Sequence, residues 1–316
     1  MNYSLISVII PTFNRGHLLG QTLESIISQE YKYWECIVVD DGSNDYTSEL
    51  MEFYCQRDYR IQYHHRPDHK LKGANACRNY GFQISKGEFI NWFDSDDLMF
   101  PNNLKSKIIG FESELDFVVG NSLNFTEDNI EFNRPFALDY SKPISVESFL
   151  NFDIGWITND VLIRKRSIPI SFNENLKSGQ EYNFFVRYLH FTTKGKFLKK
   201  DLAYRRVHPN SIQCKLLNNN ITRIRQLLYN EIQLIYDLKE LASNDNLKRS
   251  MRRILRLSYE IRTSNKIKSL DFDLIKVLFE FNYFISLFYY VLWLLINLIS
   301  GKGYFALKKA LKKLDE

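Results

Sequence analysis

The sequence predicts an α/β protein in which a mainly parallel sheet, with helices on both faces, is followed by a helical tail. Two patterns predict the sheet. Short β-branched or apolar runs alternate with segments of helical spacing through the first hundred residues, as in crossover units. Several of these runs also end in polar or acidic loops. The tail is predicted by helical spacing that continues through the last third of the chain.

The first two strand–helix pairs are the clearest. Residues 7–10 form a β-branched run that Pro11 ends, and residues 18–29 have apolar side chains at helical spacing. Residues 35–40 predict the next buried strand. Its loop, Asp40-Asp41-Gly42-Ser43, offers N-cap residues before a helix over 46–55.

The next elements lead to the stretch around which the chain is organised. A weaker strand is predicted at 60–64, a helix at 74–85, and a buried strand at 89–93. This strand ends in Asp94, Asp96 and Asp97, and residues 98–101 are predicted to open a helix. Like charges this close together are costly unless a cation neutralises them. Hard divalent ions such as Mg²⁺ or Mn²⁺ suit such oxygen ligands.

The pattern loosens beyond residue 111. Residues 116–120 predict a strand, 124–142 an irregular loop, and 156–164 a strand pair with its clearest part at 159–163. Residues 178–189 predict a helix with an apolar stripe and with Glu181 at its start.

Composition narrows the class of protein. With 316 residues, 45% of them hydrophobic and 15% aromatic, the chain can bury a full core. The net charge of +5 is modest and its basic excess lies in the last third, which argues against nucleic-acid binding. The four cysteines form no Cys-x-x-Cys pair, so reduced thiols are expected. Residues 5–10 are too short an apolar run for a signal peptide.

A dinucleotide-binding fold is the natural structural rival. It requires a Gly-x-Gly-x-x-Gly loop after the first strand, but here Pro11-Thr12-Phe13-Asn14-Arg15-Gly16 follows. A Walker-type loop is also missing from the sequence. A metal held by the acidic cluster is therefore the more plausible holder of a diphosphate.

Four motifs, in order, carry a resemblance to a known family. They are Ser-Val-Ile-Ile-Pro-Thr-Phe-Asn-Arg, Ile-Val-Val-Asp-Asp-Gly-Ser-Asn-Asp, Ala-Cys-Arg-Asn-Tyr-Gly and Gly-Glu-Phe-Ile-Asn-Trp-Phe-Asp-Ser-Asp-Asp, within about residues 5–110. The sequence resembles the family 2 glycosyltransferases of the A-type fold. The resemblance implies a nucleotide-diphospho-sugar donor, a divalent cation and inversion at the anomeric carbon.

The resemblance also implies a role for each motif residue. The backbone at Pro11 and Thr12 should border the nucleoside, and Asp41 should accept from the base while Asp40 serves structure. Arg78 should lie near the base or diphosphate. Asp94 should face the ribose and Asp96 should hold the metal; Asp97 either assists the metal or caps the helix that follows.

Glu181 is the predicted catalytic base. Inverting transfer needs a carboxylate to take the acceptor proton, and a Glu at a helix N-terminus is expected to stay ionised. The segment resembles the family's Gly-Glu-Asp helix but reads Gly179-Gln180-Glu181 here. Tyr204-Arg205-Arg206-Val207-His208 resembles the family's closing segment, which makes His208 a candidate near the metal or diphosphate.

The tail is expected to associate with membranes. Basic residues cluster between 248 and 256, and 281–300 holds no charged residue. That run is about long enough to span a bilayer, which needs roughly 20 apolar residues. Spanning would place the lysines after 301 on the far side, against the positive-inside tendency. An in-plane segment is favoured; a spanning helix and a helix packed on protein are the alternatives.

The predicted organisation has three parts: residues 1–110 bind the nucleotide sugar, 111–215 form the acceptor side of the same domain, and 216–316 form the tail. The predicted function is transfer of a single sugar to a hydroxyl of a lipid-linked glycan acceptor, at the cytoplasmic face of the membrane, in cell-surface polysaccharide assembly. No Arg-Trp pair of the family's processive synthases occurs in the sequence. A catalytically silent donor-binding or scaffold subunit is the alternative, since Glu replaces the family's Asp at the base position.

Overall fold

The computed structural model describes residues 4–126, 139–207, 220–265, 272–300 and 303–314. The chain divides into two compact units, residues 1–208 and 209–316. The predicted division at 110 falls inside the first unit, which carries the sheet. The predicted start of the tail at 216 lies a few residues beyond the start of the second unit.

The first unit begins with alternating strands and helices, as predicted. The strands and helices up to the acidic stretch are β1 (Ile6–Thr12), α1 (Gly16–Ile27), β2 (Trp34–Asp40), α2 (Thr47–Arg57), β3 (Ile61–His65), α3 (Ala74–Ile84) and β4 (Phe89–Trp92). Every residue of β1, β2 and β4 is buried, as expected for strands covered on both faces.

The rest of the first unit is less regular. It contains β5 (Leu98–Met99), α4 (Asn103–Gly110), β6 (Phe117–Phe125), α5 (Val146–Leu150), a 3₁₀ turn (Thr158–Asp160), β7 (Val161–Arg164), a second 3₁₀ turn (Lys165–Ser167), α6 (Gln180–Leu189) and β8 (Gly195–Arg206). Strand β6 continues into the segment predicted as a loop, of which residues 127–138 lie outside the described part.

All eight strands form one sheet, in the order β3-β2-β1-β4-β7-β6-β8-β5. Strands β3, β2, β1 and β4 are parallel neighbours, as predicted. The other half is mixed: β7 runs antiparallel to β4 and β6, and β5 runs antiparallel to β8. The α/β class with surrounding helices is confirmed, and the parallel order holds for the first half of the sheet.

Two local predictions are wrong. Residues 98–101 do not open a helix, because Leu98 and Met99 pair with Tyr204 and Ala203 of β8, and α4 begins only at Asn103. Residues 156–164 are not a strand pair. The Asp160 carboxylate accepts the Ile157 N–H at 3.0 Å and closes the Thr158–Asp160 turn, so only Val161–Arg164 extends as a strand.

The second unit is helical, as predicted for the tail. Its described helices are α7 (Asn220–Leu238), α8 (Asn244–Asn265), α9 (Phe272–Glu280), α10 (Phe284–Ser300) and α11 (Tyr304–Lys312). They share an apolar core that includes Leu255, Val277, Tyr290 and Trp293. The segment predicted to meet the membrane thus buries one face of α10 against its own unit. None of the helices that the structure describes combines the length and apolarity needed to cross a bilayer.

Candidate active site

The carboxyl ends of the parallel strands bring the predicted nucleotide-binding loops together. Thr12 at the end of β1 pairs with Asp40 at the end of β2. The two loops that follow are hydrogen-bonded to each other: the Asn14 N–H donates to Ser43 Oγ at 2.8 Å, and the Asn44 N–H donates to Asn14 Oδ1 at 2.8 Å. This edge of an open α/β sheet is where such folds bind ligands.

The two aspartates after β2 have different surroundings. Asp40 is fully buried, and its carboxylate accepts from the Ser43 N–H at 2.9 Å and the Tyr63 hydroxyl at 2.6 Å. It holds the loop, which is the structural role predicted for it. Asp41, the predicted partner of the base, accepts a hydrogen bond from Arg66 Nε. Arg66 orients this carboxylate at the edge of the site.

Pro11 and Thr12, the predicted nucleoside border, both lie in buried strand β1. The Thr12 hydroxyl is buried and has no hydrogen-bond partner among the described residues. A buried polar atom left without a partner is costly in the empty protein. A ligand that hydrogen-bonds at the end of β1 would relieve this cost.

Arg78 lies between the two halves of the site. Its guanidinium donates to Asp94 Oδ1 at 2.8 Å and to Gln180 Oε1 at 2.8 Å, so it connects the end of β4 with the start of α6. The guanidinium also lies over the Phe172 ring, 5.5 Å from its centroid. Arg78 Nε is buried and finds no partner in the described chain, which leaves one donor for an anionic ligand.

The acidic stretch alternates between open and buried positions. The side chains of Asp94 and Asp96 are 34% and 20% exposed, whereas Ser95 and Asp97 are buried. Asp96 lies 3.8 Å from the Arg15 guanidinium. The two half-exposed carboxylates are the ones that a ligand can reach.

Asp97 is held inward by the protein. Its carboxylate accepts the Arg206 N–H at 2.7 Å and an amide hydrogen of Asn159. Burial raises the pKa of Asp97 well above its usual range, and the Asp96 and Asp94 carboxylates raise it further. Asp97 does not cap the following helix, which begins at Asn103. His208, the third predicted metal residue, lies outside the described residues.

The Thr158–Asp160 turn joins the acidic stretch to the predicted base. The Asn159 side chain contacts Asp97 and also accepts the Asp94 N–H at 3.0 Å. The backbone N–H and hydroxyl of Thr158 donate to Glu181 Oε1 at 2.7 and 2.8 Å. Adjacent residues of one tight turn therefore orient carboxylates on both sides of the site.

A buried lysine amine donates a hydrogen bond to the backbone of this turn. Lys107 of α4 is fully buried, and its ammonium donates to the Asn159 carbonyl at 2.6 Å and to Asn91 Oδ1 at 2.9 Å. Burial lowers the pKa of Lys107 to about 7, an effect that the nearby Asp160 carboxylate opposes.

Glu181 lies at the second position of α6, after Gly179 in the left-handed conformation at φ 63°. Burial raises the pKa of Glu181, and the Asp94 carboxylate adds to this; the Arg78 guanidinium and the two Thr158 donors oppose it. The net shift is opposite in direction to the one expected from the helix dipole. Within the described chain, both hydrogen bonds that the Glu181 carboxylate accepts are made to Oε1.

Two stacked rings lie next to this helix start. The Phe152 ring packs parallel to the Tyr182 ring, with centroids 5.2 Å apart and 10° between planes. Phe152 has a positive φ of 61° and is 47% exposed. Tyr182 follows Glu181 directly, so a flat apolar surface adjoins the predicted base.

Comparison with known proteins identifies the family. The model of glycosyl transferase family 2 matches residues 7–168, about half of the chain, and includes the donor-side loops and the Thr158–Asp160 turn but not Glu181 or Arg206. The chain belongs to glycosyl transferase family 2. The family membership expected from its four motifs is confirmed.

Two relatives of this family 2 glycosyltransferase illustrate the range of proteins it resembles. An uncharacterized glycosyltransferase of Rickettsia bellii is 42% identical over 113 residues, which cover 36% of this chain and 16% of that protein. The Escherichia coli UDP-Glc:alpha-D-GlcNAc-diphosphoundecaprenol beta-1,3-glucosyltransferase WfgD is 32% identical over 176 residues, which cover 54% of this chain and 65% of WfgD. The chain thus spans less than two thirds of either relative.

Solved structures share its fold. The Staphylococcus aureus TarS 1-349 complex with UDP-GlcNAc superposes with a TM-score of 0.64 at 15% identity, covering 98% of this chain and 89% of that one. The mannosyltransferase PcManGT of Pyrobaculum calidifontis, in complex with GDP-Man and Mn²⁺, gives a TM-score of 0.54 at 12% identity, covering 94% and 87%. At these identities the likeness concerns the fold.

The donor set of the family 2 site fits a divalent cation only in part. No cluster of three or more His, Cys, Asp or Glu side chains in the described ranges forms a metal site by itself. Asp96 and Asp94 offer hard, half-exposed carboxylate oxygens, and Mg²⁺ or Mn²⁺ commonly completes its shell with water and substrate phosphates. A cation here would depend on the donor for several of its ligands.

Several site residues were not predicted from the sequence. Thr158 and Asn159 lie in a segment predicted as strand. Arg66 and Arg206 are far in sequence from the carboxylates that they contact, and Gln180 is far from the Arg78 guanidinium from which it accepts. The one available signal was Gln180, which stands at the first acidic position of the family's Gly-Glu-Asp motif. The Thr158, Asn159 and Arg206 contacts depend on how β7 and β8 join the sheet, and the Arg66 contact depends on the pairing of β3 with β2.

Proposed function

We propose that this protein is an inverting glycosyltransferase that moves one sugar from a nucleotide-diphospho-sugar to a hydroxyl of a glycan acceptor. The main support for the proposal is the pair of hydrogen bonds made by the Arg78 guanidinium. By donating to both Asp94 and Gln180, it brings the donor-side carboxylates and the start of α6, with Glu181, into one site. Inverting transfer requires groups that support the departing diphosphate on one side of the anomeric carbon and a base for the acceptor hydroxyl on the other side.

On the donor side, the end of β1, Asp41 and Arg78 would surround the nucleotide. Asp96, with Asp94 beside it, would hold a divalent cation, Mn²⁺ or Mg²⁺. When bound, such a cation neutralises charge on the departing diphosphate. The Thr12 hydroxyl and Arg78 Nε, which have no hydrogen-bond partner among the described residues, are donors that suit the polar and anionic groups of a nucleotide.

On the acceptor side, Glu181 would act as the general base. The Thr158 donors fix Oε1, and Oε2 would accept the proton of the acceptor hydroxyl as its oxygen bonds to the anomeric carbon. The bond between that carbon and the diphosphate oxygen breaks, and the nucleoside diphosphate leaves with the electron pair. The stacked rings of Phe152 and Tyr182 offer an apolar face to the acceptor sugar.

The acceptor class and the location are the second part of the proposal. We propose a lipid-linked acceptor and peripheral, in-plane attachment to the cytoplasmic face of a membrane, in polysaccharide assembly. The name of WfgD, which specifies a diphosphoundecaprenol acceptor, supports this class. So do the exposed apolar side chains of α10, of which Phe288 is 63% exposed.

Replacement of the base tests this proposal. We expect Glu181→Gln to lower the rate of sugar transfer by roughly 10²- to 10⁴-fold, the usual contribution of a general base, with unchanged donor affinity by titration calorimetry. Glu147→Gln, an exposed acid of α5, is the matched control and should transfer at the wild-type rate.

Two outcomes would contradict the proposal. Wild-type transfer by the Glu181→Gln protein would exclude this residue as the base. A wild-type protein that binds a nucleotide sugar, yet neither transfers nor hydrolyses it with any acceptor extract, would support the catalytically silent subunit instead.

A further inference from the structure

A basic groove lies in the second unit, between α8 and α11. Its volume is about 870 Å³, and its lining includes five cationic side chains, Arg252, Arg256, Lys308, Lys309 and Lys312. None of the described residues that line the groove is acidic. Mutual repulsion among these cations is relieved when an anion lies between them. The groove is therefore electrostatically matched to a polyanionic surface or ligand.

Helix α11 is built so that its cations face outward. Ala306, Leu307 and Ala310 are buried in the core of the unit. Phe305, Lys308, Lys309 and Lys312 recur at helical spacing on the opposite face, where all four are exposed. Such a division between an apolar face and a lysine-rich face is typical of helices that lie at a membrane surface.

Helix α8 supplies the other wall. Arg252 and Arg256 are one turn apart, so both side chains lie on the same face. Arg253, between them, is directed elsewhere, since it pairs with the buried Glu231 at 3.0 Å. The cations of the groove are thus separate from the ion pair that holds α7 and α8 together.

Apolar side chains accompany this positive charge. Phe305, in the lining itself, is 59% exposed, and its neighbour Tyr304 is also exposed. A soluble phosphate compound would leave these rings in water. A lipid surface accepts cations at its head groups and aromatic rings at the head-group boundary.

We infer that the groove between α8 and α11 is a docking site for the head groups of anionic phospholipids. The inference deepens the proposed function, because it rests on the membrane attachment proposed there and assigns the residues and the lipid class responsible. Binding to it requires neither sugar donor nor acceptor.

Vesicle co-sedimentation of the full-length protein tests this inference. The probe is a set of vesicles of phosphatidylcholine alone or with about one third phosphatidylglycerol. Each cation near a charged membrane contributes roughly fivefold to binding. We therefore expect Lys308→Gln/Lys309→Gln/Lys312→Gln to weaken binding to the anionic vesicles on the order of 100-fold, and Arg256→Gln alone by about fivefold.

The control removes the same charge elsewhere in the unit. Arg223→Gln/Arg225→Gln/Lys276→Gln changes three basic residues of α7 and α9 that do not line the groove, and should bind anionic vesicles nearly as wild type does. Circular dichroism of both triple variants checks that the helices are retained. If the triple lysine variant is misfolded, Arg256→Gln provides the same comparison.

Three results would overturn the inference. They are equal wild-type binding to neutral and anionic vesicles, equal loss in groove and control variants, and complete displacement from anionic vesicles by millimolar inorganic pyrophosphate at constant ionic strength. The last would identify a soluble phosphate compound as the ligand. Affinity for the nucleotide sugar, measured on the same variants without vesicles, tests the proposed enzyme separately. If no nucleotide sugar binds, the proposed function fails but the lipid-binding result is unaffected.

Discussion

Individual side chains at this site are held in position by hydrogen bonds from distant parts of the sequence. Asp97 shows this most clearly, since its carboxylate accepts from Arg206 of β8 and from Asn159 of the 3₁₀ turn. Its neighbours Asp94 and Asp96 remain half-exposed. Three carboxylates of one motif therefore divide into one that supports the structure and two that can meet a ligand.

Thr158 offers a residue-scale test of the base. Its two hydrogen bonds to Glu181 favour the ionised carboxylate and lower its pKa, against the effect of burial. Thr158→Val keeps the backbone donor and removes the hydroxyl, so the pKa of Glu181 should rise. Because the base must be ionised to accept a proton, the acidic limb of the pH profile of kcat/KM should move to higher pH, with the rate retained on the alkaline side.

A matched variant controls for the general effect of losing a threonine hydroxyl. Thr192 Oγ1 donates to Asp116 at 2.6 Å, a carboxylate outside the predicted site, so Thr192→Val should leave the acidic limb in place. An unmoved limb in Thr158→Val, or one that moves to lower pH, would argue against Glu181 as the ionising group.

At the scale of elements, helices and strands were predicted best where the hydrophobic pattern of the sequence matches the burial of the element in the fold. Strands β1, β2 and β4 are buried on both faces, so their apolar runs are unambiguous. The turn at Thr158–Asp160 lies within an apolar stretch, and its shape depends on Asp160 accepting a backbone hydrogen bond. Periodicity alone cannot distinguish such a turn from the strand that follows it.

The start of α6 depends on Gly179, whose φ of 63° is left-handed. A β-branched residue is strained there by about 1–2 kcal/mol, whereas Asn tolerates this conformation. Gly179→Val should therefore lower the free energy of unfolding by about that amount and reduce kcat by displacing Glu181, while Gly179→Asn should retain most of both. Chemical denaturation and steady-state kinetics measure the two effects. Equal unfolding free energies and equal kcat values for Gly179→Val and Gly179→Asn would mean that the left-handed conformation at residue 179 is not required.

At the scale of the whole molecule, each unit has one feature in which charged side chains are concentrated. The first unit gathers carboxylates at the ends of its strands, and the second gathers arginines and lysines around a groove. The family, the α/β fold and the acidic stretch could be predicted from the sequence because short motifs carry them. The groove could not, because Arg252 and Lys308 are over fifty residues apart and meet only through helix packing.

The central claim is that a divalent cation at Asp96 and Asp94 joins a nucleotide sugar to the first unit. Asp96→Asn should remove this cation while leaving the unliganded protein about as stable as wild type, since its side chain is half-exposed. In contrast, Asp97→Asn should lower the free energy of unfolding of the unliganded protein by about 1–3 kcal/mol. The new amide NH₂ would face one of the two groups, the Arg206 N–H and the Asn159 amide, that now donate to the Asp97 carboxylate.

Thermal unfolding with a panel of nucleotide sugars tests the claim most directly. Ligand at 100 times its Kd stabilises the folded state by about 2.7 kcal/mol. We expect at least one nucleotide sugar to raise the unfolding temperature of the wild-type protein in Mn²⁺ or Mg²⁺, with no such rise in chelator or in Asp96→Asn. The same rise in all three conditions would contradict the account.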